Sequence, residues 1–142
     1  MNRKMRSFFF SRSMAFTALV LFSLNTQAQD WKLDNKVDGV ELHHAMITCN
    51  NAPAVLLKFV NTNDYEVEVS WKEVVTTSQV SAKTEGNGGK KKITLGKGET
   101  FAANCNETKN RKCLVLPVDV IPSYAATIRS FEYKDVSVVR AR

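Results

Sequence analysis

Tyr65-Glu-Val-Glu-Val-Ser-Trp71 is the stretch from which the fold can be read. A β-strand sends successive side chains to opposite faces, so Tyr65, Val67, Val69 and Trp71 share one side while Glu66, Glu68, Ser70 and Lys72 share the other. One face is apolar and the other wet, as in a strand laid over a core. Just upstream, Val55, Leu57 and Phe59 alternate with Leu56, Lys58 and Val60. Asn61-Thr-Asn-Asp64 supplies turn chemistry between the two runs, which predicts a β-hairpin.

The same pattern extends in both directions. An earlier strand is expected over 39–48, with Val40, Leu42 and Met46 facing inward and Asn50-Asn-Ala-Pro53 ending it. Later strands are expected over 92–95, 113–120 and 127–139. In the last, Phe131 and Tyr133 lie on one parity and Val136 and Val138 on the other, and a β-bulge near Lys134 and Asp135 restores a common inward face. The polar stretches 78–89 and 104–112 separate these runs. No amphipathic helix, internal repeat or second domain is legible. Six or seven short strands predict an all-β fold, an antiparallel β-sandwich with an immunoglobulin-like arrangement. Trp71 sits where the immunoglobulin fold places an inward Trp on its third strand. Cys49, however, precedes the second strand, and Arg111 stands two residues before Cys113 where that fold has a Tyr.

Residues 1–28 read as a cleavable signal peptide, leaving 29–142 as a single domain. Arg3, Lys4, Arg6 and Arg12 form a basic start without an acidic residue, and an apolar run follows from Met14 to Leu24. That run is about half the roughly 20 residues a helix needs to cross a bilayer. Thr26-Gln27-Ala28 places small residues where a signal peptidase requires them, so cleavage is expected after Ala28. The mature product is expected in the periplasm or outside the cell, with no transmembrane span. Cleavage also removes four basic residues, leaving 16 Lys+Arg against 14 Asp+Glu, a net +2 instead of +6. So small a charge provides no general field for nucleic acid, and no nucleic-acid partner is expected.

Three cysteines in an exported chain allow one disulfide and leave one thiol. Chain entropy favours Cys49–Cys105, at about 4.2 kcal/mol, over Cys105–Cys113 at about 2.6. Geometry adds a condition. Cys49 ends the first expected strand, and Cys105 returns to the same pole only after an even number of intervening strands. Three are legible with certainty, so the pairing Cys49–Cys105 requires a fourth, for which Val74 to Val80 has the β-branched content. The expectation is this disulfide, with Cys113 a buried, unreactive thiol; the short Cys105–Cys113 loop is the alternative that closes under either topology.

His43 and His44 are the only histidines, and as neighbours on a strand they point to opposite faces, so both cannot ligate one metal in the usual way. His43 is expected in solvent and His44 partly buried, with no metal site, no cofactor and no catalytic residues. Gly88-Gly-Lys-Lys-Lys92 with Lys83 and Lys97, and Lys109, Arg111 and Lys112 in another loop, form two basic clusters. They suit either polyanion binding or plain solvated loops.

The run from Leu57 to Trp71, Leu95-Gly-Lys-Gly-Glu-Thr100 with Cys105 after it, and Ser130 to Val138 resemble a loose group of small exported Bacteroidetes β-sandwich proteins. The resemblance covers most of the mature chain and implies location and fold only. The function expected is that of an exported, non-enzymatic module that binds a protein or cell-envelope component through loops or an unpaired strand edge. A small ligand- or metal-binding protein using His43 or His44 with a cysteine and a carboxylate is the second possibility, and a hydrolase the third.

Overall fold

The computed structural model describes residues 29–86, 88–120 and 127–142; the expected signal peptide lies outside the described residues. Among the described residues nine strands follow in order: β1 (Lys32–Val37), β2 (Val40–Cys49), β3 (Ala52–Asn61), β4 (Val67–Thr77), β5 (Thr84–Glu85), β6 (Lys91–Leu95), β7 (Thr100–Ala102), β8 (Leu114–Val115) and β9 (Ile128–Arg140). One helical turn, α1 (Pro117–Val120), follows β8. Two antiparallel sheets pack face to face as a β-sandwich. In the first, β2 and β3 pair along their lengths, β1 adds to β2, and β7 and β8 share the other edge of β3. In the second, β9 runs along all of β4, so β5 and β6 must share the opposite edge.

The alternation read around Trp71 is the core alternation. Val67, Val69, Trp71 and Val75 are fully buried or nearly so, facing Val40, Leu42, Val55, Leu57 and Phe59 of the first sheet. The rings of Phe59 and Trp71 meet across the interface with centroids 4.8 Å apart. The bulge expected in β9 is present: Ser70 pairs Ser137 and Lys72 pairs Lys134, so Trp71 alone opposes Asp135 and Val136, and Asp135 takes a positive φ of 50°. Beyond it Val136 and Val138 pack on the same core as Phe131 and Tyr133.

Several expectations need correction. The 55–60 and 65–71 runs form no hairpin; β3 and β4 lie in different sheets. The Asn-rich turn is instead a sheet-crossing corner locked by Asn61, whose buried amide donates to the carbonyls of Tyr65 and Gly96 at 2.9 Å each and accepts from the Asn63 backbone N–H. Gly39 serves this corner: it has φ of 77°, and a Cβ there would meet the Asn63 side chain at 2.4 Å. Met46 is 44% exposed instead of facing inward; it lies beyond His44, the last residue of β2 that β1 pairs. The 113–120 run is not one strand but the two residues of β8 followed by α1, and β1 has no counterpart among the expected strands.

The disulfide Cys49–Cys105 is present, with Cα atoms 5.3 Å apart, and Cys113 is the buried free cysteine. The fourth intervening strand does not lie within Val74 to Val80. Val74 to Thr77 simply continue β4, and β5 with β6 form one interrupted return along it. The missing reversal is β7, which runs antiparallel to β3 and carries the chain back to the pole where β2 ends.

Candidate functional site: a basic cleft over a buried ion pair

The two loops marked as basic in the sequence converge. A cleft of about 440 Å³ is lined by Gly88 and Lys91 on one side and by Arg111, Lys112, Val118 and Asp119 on the other. What Lys91 meets beneath the cleft follows from the register of β4. Trp71 faces the core, so two residues on Glu73 faces it too, and it is 3% exposed. Lys91, which opens β6 opposite Trp71, reaches Glu73 and places its Nζ 2.7 Å from Oε2. The lysine side chain keeps 14% of its surface in solvent while the carboxylate keeps 2%. The pair therefore has an inner, dry end and an outer end at the cleft.

This pair is incompletely satisfied. Glu73 Oε1 accepts no hydrogen bond, and the buried Trp71 Nε1–H has no partner. Burial pushes the Glu73 carboxyl above its ordinary range. The Lys91 ammonium pulls it back, and the indole of Trp71 pulls the same way from outside hydrogen-bond geometry, while the Asp119 carboxylate adds to the rise. Close by, burial pushes the Cys113 thiol up to about 12, with Lys112 opposing and Glu107 and Glu73 reinforcing. A thiol so held stays protonated at neutral pH, which makes it a poor nucleophile. Burial likewise holds Tyr133 as a phenol, its hydroxyl donating to the His43 carbonyl at 2.6 Å and tying the sheets together.

The opposite wall is pre-arranged. The Arg111 guanidinium donates to the Leu114 carbonyl and to both Asp119 oxygens, at 3.2 and 3.1 Å, and Asp119 in turn accepts the Leu116 backbone N–H at 2.8 Å. Lys112 has no ion-pair partner among the described residues and also borders a second depression, of about 390 Å³, with Lys92 and Lys109. Three cations and one carboxylate thus line the main cleft, a field that suits an anion. Lys83 is not part of it; it pairs with Glu132 at 2.8 Å, and Lys97 also lies outside the lining.

The histidines are placed elsewhere. His44 is buried, its Nδ1 bound to Asp34 and its ring 5.2 Å from Phe131. The register slips between Leu33 and Asn35, giving β1 an extra residue, Asp34, at this point. His43 is not solvated as expected: its side chain is 14% exposed, with Nε2 at 3.4 Å from Glu41. Among the described residues no group of three His, Cys, Asp or Glu side chains stands close enough to hold a metal ion, and no hydroxyl or thiol hydrogen-bonds His44. Glu73 and Asp119 were the residues missed. Glu73 was legible, since it shares the parity of Trp71; Asp119 was not, since 113–120 reads as a strand.

No family model, curated protein or solved structure matches the chain.

Proposed function

We propose that the chain is an exported, non-catalytic β-sandwich module that binds a protein or other component of the cell envelope, in the periplasm or outside the cell, through the basic cleft. One observation carries this reading: two loops about twenty residues apart in the sequence, each basic by itself, supply cations to a single concavity whose arginine is already oriented. The disulfide fits an oxidising compartment, and among the described residues no helix is long and apolar enough to cross a membrane. The alternative route, strand addition at the outer side of β9, is the weaker one. That edge carries a bulge at Asp135 and the charges of Arg129, Glu132 and Lys134, devices that discourage pairing.

The experiment is co-sedimentation of residues 29–142, disulfide intact, with washed envelopes of the source cell. Salt-sensitive binding that falls severalfold in Lys112→Glu is expected. Undiminished binding by Lys112→Glu would place the contact elsewhere.

A further inference from the structure

We propose that the cleft binds a phosphate-type oxyanion and that binding is accompanied by uptake of one proton at Glu73. The inference rests on the cleft being the binding face and adds its ligand class and its coupling. Donors enter from two walls: Lys91 from the start of β6, Arg111 and Lys112 from the turn before β8. A tetrahedral anion, with acceptor oxygens pointing in several directions, can meet donors on both walls at once, whereas a planar carboxylate presents its two oxygens to one side. Gly88 borders the same space without a side chain to fill it.

The coupling follows from the shape of the ion pair. Among the described residues Lys91 is the cation that both lines the cleft and pairs with Glu73, so it is the one an anion bound there would share with that carboxylate. An anion that draws the ammonium outward leaves Glu73 with no cation and only the neutral Trp71 indole N–H nearby, which lies outside hydrogen-bond geometry. The titratable groups facing this carboxylate cannot replace the lysine. Asp119 of α1 repels it, and Cys113 beside β8 and Tyr133 of β9 are both held neutral by burial. A dry carboxylate without a cation takes a proton from solvent and becomes the neutral acid. The bound state then holds Lys91, Arg111 and Lys112 against Asp119 alone.

Calorimetry of the mature, disulfide-bonded chain with sulfate tests this. Sulfate is tetrahedral and does not titrate near neutral pH, so any proton taken up belongs to the protein. Repeating the titration at pH 7 in buffers of different ionisation enthalpy reads that proton directly. We expect binding with net proton uptake, abolished in Glu73→Gln, with Glu73→Gln binding sulfate about tenfold tighter because Lys91 is no longer shared. Competition by inorganic phosphate alone would identify a free ion as the ligand, and competition by phosphatidate vesicles a lipid headgroup; both uphold the shared chemistry. No sulfate binding, with envelope binding still sensitive to Lys112→Glu, would overturn the ligand class while leaving the cleft as the binding face. Sulfate binding with no proton taken up, or unchanged affinity in Glu73→Gln, would overturn the coupling.

Discussion

Trp71→Ala is the perturbation that bears most directly on the packing of the two sheets. The side chain is fully buried, and its ring meets Phe59 of the opposite sheet at 4.8 Å. A tryptophan buries about 150–250 Å². At about 25 cal/mol per Å² this is about 4–6 kcal/mol, an upper figure because the unfolded chain already hides some of that surface. Against it stands the indole N–H, buried outside hydrogen-bond geometry, whose removal returns at most about 1–3 kcal/mol because its pull on the Glu73 carboxylate is lost with it. The net expected loss is about 3 kcal/mol, at the lower end of the range for deleting a buried Trp. Trp71→Phe keeps a ring against Phe59 and removes the stranded donor, so it should cost less than about 1.5 kcal/mol. Urea unfolding followed by far-UV circular dichroism is the assay, since Trp71 is one of only two tryptophans and fluorescence would lose its main reporter. With a slope of about 1.5 kcal/mol per molar, the midpoint for the alanine variant should fall by about 2 M. A loss under about 0.5 kcal/mol, or equal losses for alanine and phenylalanine, would refute the packing described.

Other outcomes follow from the same structure. Reduction of Cys49–Cys105, which closes a separation of 56 residues, should cost about 4 kcal/mol in urea unfolding, and native Cys113 should resist iodoacetamide at pH 8; a peptide linking Cys105 to Cys113 would contradict both. Glu73 has its folded pKa raised above 4.5, so the native state holds more protons than the unfolded one between these values and stability falls as pH rises through that window. Lys91→Met widens the window, and should therefore lose about 2–4 kcal/mol relative to wild type at pH 8 but under about 1 kcal/mol at pH 4; equal losses at both would show that the pair is not the cause. N-terminal sequencing of the exported protein should begin at Gln29, and recovery of intact precursor in membranes would overturn the proposed location.

How much of this was legible depends on which physical rule each residue obeys. Period-two alternation identifies which face of β4 is buried and carries through Glu73 and Val75 to Thr77, but Ser70, expected on the wet face, is buried as well because β6 and β9 flank it on both edges. The parity change in β9 locates its bulge because a bulge is the one local device that returns two parities to one face. Turn chemistry is less informative: Asn61 to Asp64 suit a hairpin and a sheet-crossing corner equally, and the choice is made by carbonyls at Leu95 and Gly96, over thirty residues away. β1 escapes because Lys32–Val37 is largely exposed and shows no apolar face. The Glu73–Lys91 pair was half visible. The parity of Trp71, extended by two residues, places the carboxylate inside, but nothing local says which of three consecutive lysines, Lys90 to Lys92, meets it; that depends on the β4–β6 register.

Amide hydrogen exchange of residues 29–142, with and without washed envelopes, asks where the protein is gripped. Binding through the basic cleft predicts new protection confined to 88–92 and 109–119, lost in Lys112→Glu and at high salt. Protection along the outer side of β9, with both loops unchanged, would contradict it and make strand addition at that edge the mode of recognition.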